Sequence, residues 1–78
     1  MGRGYLTPQE IELKKTISLN LNNLLNSSQK KKVDIHREVG IPKSTITDYF
    51  KGNSLPSKEN VAKLAEFFNV PDYEIDPR

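Results

Sequence analysis

Five polar side chains crowd into the six positions Lys43-Ser44-Thr45-Ile46-Thr47-Asp48. Their types suit recognition of a polar edge rather than bond-making. Lysine donates to O6 and N7 of guanine, a hydroxyl serves either edge or touches a thymine methyl, and a carboxylate accepts from the amino group of cytosine. Asp48 also repels phosphate, so it restricts choice more than it adds affinity. A second set is suited to anionic oxygen: Lys31, Lys32 and Lys51 bring charge, and Asn53 and Ser54 bring neutral donors. Lys30 and Lys58 are outlying members of that set. Catalysis has no comparable constellation. There is one histidine, His36, no cysteine, and no pair of carboxylates set for acid–base work. No enzyme activity, cofactor or metal is expected. His36 reads as a partly buried, hydrogen-bonded residue.

Those side chains need a helix with a buried back. Ile46, Tyr49 and Phe50 fall at i, i+3 and i+4 and anchor a helix over 43–51, which leaves Lys43, Ser44, Thr45, Thr47, Asp48 and Lys51 outward. Pro42 opens it without losing a needed donor. Gly40 takes positive φ just past the end of a preceding helix, 31–39, whose inward side is supplied by Val33, Ile35, His36 and Val39. Two helices joined by so sharp a turn form a helix-turn-helix, which places its second helix in the major groove of DNA.

The flanking elements follow from caps and periodicity. Thr7-Pro8-Gln9-Glu10 starts a long first helix, 8–26, with Ile11, Leu13, Ile17, Leu21, Leu24 and Leu25 on its apolar side. Gly52 to Pro56 is a turn-rich loop whose amides are expected to help fix register on a nucleic-acid backbone. Ser57 caps a helix over 58–69 with the stripe Val61, Leu64, Ala65 and Phe68. Residues 72–75 add a last short turn that packs Tyr73 or Ile75. Residues 1–6 form a flexible arm in which Arg3 suits a narrow minor groove or is merely terminal. Residues 7–76 thus make one all-α domain, a compact bundle of four to five helices.

Charge follows the same segment. The 78 residues carry a net +2, yet residues 27–58 hold seven Lys or Arg against three acids, and the remainder five against seven. The positive field is therefore gathered around the turn, as phosphate binding requires. No apolar run is long enough for a membrane span, and the lack of cysteine fits a reducing cytoplasm.

Gly40-Ile41-Pro42-Lys43-Ser44-Thr45-Ile46-Thr47, Lys51-Gly52, Pro56, Leu64-Ala65 and Asn69-Val70 resemble the Cro/CI-type helix-turn-helix family, the lambda-repressor-like domains of phage and bacterial regulators. The likeness covers about residues 10–75. It implies that Lys43, Ser44, Thr45 and Asp48 face base edges, with Thr47 at the rim of the groove. It implies phosphate contacts from Lys31 and Lys32 at the start of the second helix, and from Lys51, Asn53 and Ser54 after the third. It further implies double-stranded DNA as partner, a palindromic operator bound by a homodimer, repression of transcription, and the bacterial cytoplasm as location. The ending Ile75-Asp76-Pro77 resembles the N-terminal part of a phage-type repressor. Two positions depart from the family: Lys32 stands where a glutamine is usual, and His36 where a small alanine lets the two helices approach. An antitoxin, or a helical protein–protein interaction module, is the alternative use of this fold. The latter would expose an apolar patch in place of concentrated charge.

Overall fold

The computed structural model describes residues 8–77. The expected Thr7 cap and the arm with Arg3 lie outside the described residues. Four helices follow one another, α1 (Pro8–Ser28), α2 (Lys32–Val39), α3 (Lys43–Lys51) and α4 (Lys58–Phe68), and a 3-10 turn (Asp72–Glu74) completes the order. No strand occurs among the described residues, and the all-α class is the observed one. None of these helices is long and apolar enough to cross a membrane.

α1 runs two residues past the expected end at 26. Ser27 and Ser28, which could end the helix, turn their hydroxyls back onto the preceding turn, Ser27 to the Asn23 carbonyl at 2.9 Å and Ser28 to that of Leu25 at 3.0 Å. Ile17 and Leu21 are its buried residues, with Leu13, Leu24 and Leu25 partly covered. Ile11, expected on the same apolar side, stays 43% exposed at a groove shared with Lys51, Gly52 and Asn53.

α2 has only two turns, and one residue commits it to the core. Ile35 is fully buried, whereas Val33 is 44% exposed, contrary to its expected inward position. At about 100° per residue the two sit about 200° apart, so both cannot face the core. Asp34 accepts from the Lys31 backbone N–H at 3.1 Å and so caps the start. Lysine has no acceptor to return that bond.

At the other end Gly40 takes φ 85° and donates its N–H to the His36 carbonyl at 3.1 Å. His36 is half-buried, and its Nδ1–H donates to the Ile41 carbonyl at 2.8 Å, a bond that spans the turn and fixes which ring nitrogen carries the proton. Ile41 is buried between the helices.

α3 buries Ile46, Tyr49 and Phe50 and ends at Gly52, φ 79°. Buried Pro56 and half-buried Leu55 bring the chain back to Ser57, whose hydroxyl accepts from the Asn60 N–H at 3.2 Å and starts α4. α4 buries Val61, Leu64, Ala65 and Phe67. Phe68, expected in that stripe, is only partly buried and meets the Phe67 ring edge-on at a centroid distance of 5.0 Å. Adjacent aromatics at a helix end compete for one opening, and the position three residues after Leu64 takes it. Asn69, at φ 61°, closes α4. Beyond it Ile75 is fully buried and Tyr73 is 69% exposed, and Asn20 Nδ2 donates to the Ile75 carbonyl at 2.9 Å.

Candidate nucleic-acid interface

The outward face of α3 is only as well defined as the hold on its back. Beyond the three buried anchors, α1 grips the C-terminal end. The Ser18 hydroxyl and Asn22 Nδ2, the latter at 3.0 Å, both donate to the Phe50 carbonyl. That carbonyl is one of the last in the helix and has no partner within it. From the other side, Asn60 Nδ2 of α4 donates to the Tyr49 hydroxyl at 2.8 Å. The His36 bond braces the N-terminal approach. α3 is thus fixed at both ends by four polar side chains on three other elements.

So held, α3 exposes Lys43 and Ser44 and keeps Thr45, Thr47 and Asp48 half-buried. Lys43 and Thr47 share one row at i, i+4, and Ser44 and Asp48 the next. The start of α2 lies beside the first of these rows. Lys32, Val33, Lys43, Ile46 and Thr47 line a shallow groove of about 200 Å³. The Lys32 ammonium sits 4.9 Å from the centroid of the Phe50 ring, so a cation–π contact to the back of α3 orients it. Lys31 is exposed at the cap of α2, next to the amides of Lys32 and Val33, which no carbonyl of the helix can meet.

The other expected phosphate ligands gather after α3. Lys51 and Asn53 are exposed and Ser54 is half-buried. Two of the loop amides are engaged within the fold. The Gly52 N–H donates to the Tyr49 carbonyl at 3.2 Å and the Asn53 N–H to that of Asp48 at 2.9 Å, so both serve to close α3. Lys30 is also engaged elsewhere. Its Nζ donates to the Phe67 carbonyl at 2.7 Å and lies 4.4 Å from the Phe67 centroid, which caps the negative end of α4.

Among the described residues the ion pairs are Arg37–Asp34 at 3.5 Å and Lys63–Glu59 at 3.6 Å. Neither involves Lys31, Lys32, Lys43 or Lys51, so these four lysines remain outside any ion pair among the described residues. One cation near this surface escaped the sequence reading. Lys14 of α1 donates to the Asn53 carbonyl at 3.3 Å, although 39 residues separate the two. Its only sequence signal is a Lys-Lys pair in an otherwise acidic segment.

Two short helices around a left-handed glycine, an exposed polar row on the second, and unpaired lysines at both its ends describe a known arrangement. A family model described as helix-turn-helix matches residues 23–75, which is more than half of the chain. The chain belongs to the Cro/CI-type helix-turn-helix family. The helix-turn-helix itself is α2 and α3, and its class is DNA-binding transcription regulation. Among solved structures, the domain is similar to the SOS-response transcriptional repressor LexA from Eubacterium rectale. The TM-score is 0.77 and the identity 28%, over 83% of this chain and 69% of that one. No curated protein sequence matches the chain.

Proposed function

We propose that this domain binds double-stranded DNA in a sequence-specific way through α3, as the DNA-binding part of a transcriptional repressor. The observation that carries the reading is the pairing of a rigidly held α3 with lysines outside any ion pair on both sides of its exposed row, among the described residues. Lys43, Ser44, Thr45 and Asp48 read base edges in the major groove, and Thr47 touches the rim. Lys31, Lys32 and the open amides of α2 hold phosphate on one side, and Lys51, Asn53 and Ser54 hold it on the other. A homodimer would place two such helices about 34 Å apart on a palindromic operator. Repression follows from covering a promoter, in keeping with the repressor named for the similar structure. The phage-type assignment and the bacterial cytoplasm rest on the sequence resemblance.

The test is a titration of the isotope-labelled domain with duplex DNA at low salt, following every backbone amide by NMR. The expected result is fast, salt-sensitive shifts centred on residues near 31–33, 43–48 and 51–58. Six phosphate contacts give a log–log salt slope of about −5. Shifts scattered without regard to α3, or none at all, would overturn the reading in favour of a protein-interaction module.

A further inference from the structure

The C-terminal end of α3 is by itself an unfavourable place for an anion. Terminal carbonyls give a helix end partial negative character, and the Gly52 and Asn53 amides already face the Tyr49 and Asp48 carbonyls. Affinity for phosphate there must come from side chains, and Lys51 supplies one charge. Two more come from α1. That helix passes so close that a Cβ added at Gly52 would lie 3.5 Å from the Lys14 carbonyl oxygen and 3.6 Å from Ser18 Cβ. Lys14, Lys15 and Lys51, with Ile11, Gly52 and Asn53, line one groove of about 320 Å³ that has no carboxylate in its wall. Lys14 is steered into place by its bond to the Asn53 carbonyl at 3.3 Å.

We propose that Lys14 and Lys15 of α1, together with Lys51, hold a backbone phosphate of duplex DNA at the C-terminal end of α3. The inference rests on the DNA-binding reading and extends its surface onto a helix outside residues 31–58. Like-charged ammonium groups around one groove repel one another until an anion enters, so the site is poised for a ligand with negative charge on several oxygens. A helix about 10–12 Å across fits a major groove about 12 Å wide, and α3, about 13 Å long, is short enough for cations at both of its ends to reach flanking phosphates.

The experiment measures binding of the 78-residue chain to a generic duplex by fluorescence anisotropy across a salt series. One phosphate contact contributes about 0.9 to the log–log slope, which corresponds to about eightfold in affinity at 0.1 M salt and about threefold at 0.3 M. Lys15→Gln and Lys14→Gln are each expected to lose up to that much, alike on every duplex sequence, since Lys51 keeps part of the hold. Lys14→Arg keeps the charge and should keep the slope. Lys63→Gln, which removes a cation paired with Glu59 on α4, should bind as the parent chain does. Circular dichroism of each variant checks that the helices persist. If both Gln variants keep the parent slope while Lys31→Ala loses affinity, the inference falls and the DNA-binding reading stands. An equal loss in Lys63→Gln would reduce the effect to net charge and also overturn it. A parent chain without salt-dependent binding overturns the DNA-binding reading and this inference together.

Discussion

The grip of α1 on the Phe50 carbonyl makes a non-additive prediction. Two donors meet one acceptor there, Ser18 Oγ and Asn22 Nδ2, so removing either leaves the carbonyl partnered by the other. Ser18→Ala should cost about 1 kcal/mol, the net worth of an ordinary hydrogen bond. Asn22→Ala should cost about 1–2 kcal/mol, since its amide also donates to the Ser18 carbonyl at 2.8 Å. The double variant strands a helix-terminal carbonyl against α1, which adds a desolvation penalty of about 1–3 kcal/mol that neither single variant incurs. A coupling of about 1–2 kcal/mol beyond the sum is therefore expected. That is a large share of a total stability of about 4–12 kcal/mol for a chain of this size. Urea unfolding followed by far-ultraviolet circular dichroism measures all four corners of the cycle. Additivity within about 0.5 kcal/mol would refute the reasoning, because it would mean that water replaces the donors and that α1 does not fix the tilt of α3.

Three further outcomes are expected. Gly40→Ala and Gly52→Ala should each cost about 1–2 kcal/mol, the price of left-handed backbone alone. A Cβ meets nothing within 4 Å at the first and only ordinary contacts at the second, so a much larger loss for Gly52→Ala in chemical denaturation would contradict the packing against α1. His36→Leu keeps bulk but removes the donor to the Ile41 carbonyl, for a loss of about 1 kcal/mol in the same assay. Lys43→Ala should cost about 1–3 kcal/mol of binding and relax one base position, whereas Lys31→Ala should weaken all duplexes alike. Competition binding with single-base variants separates the two, and an identical pattern for both would undo the division between reading and positioning. Lys31 is the better choice than Lys32, which also packs over Phe50.

α3 was legible in the sequence because each of its constraints is local. Pro42, the Ile46-Tyr49-Phe50 spacing and Gly52 lie within eleven consecutive residues, and the helix they imply is the one observed, Lys43–Lys51. α2 was harder. In two turns a helical period is sampled too briefly to separate Val33 from Ile35, and only the partner across the interface decides. The same holds for Phe67 against Phe68, where Lys30 arrives from far along the chain to cover one ring. Serines at 27 and 28 have two uses, ending a helix or bonding back onto it, and composition does not choose between them. Of the candidate site, the cations flanking α3 in sequence were visible. The engagement of Lys30 and the arrival of Lys14 from α1 are consequences of long-range packing. A charge tally by segment placed Lys14 and Lys15 in the acidic remainder, although folding brings them to the basic side.

The division of α3 into a packed back and an open front has an evolutionary consequence. Ile46, Tyr49 and Phe50 carry the fold, while the side chains of Lys43, Ser44, Thr45 and Thr47 enter no hydrogen bond or ion pair among the described residues. Exchanges on that front should change stability by only about 0.5 kcal/mol. If α3 reads DNA as proposed, a lineage can therefore drift from one recognised site to another through variants that all remain folded. What is inherited is the scaffold, and its open front is free to be rewritten.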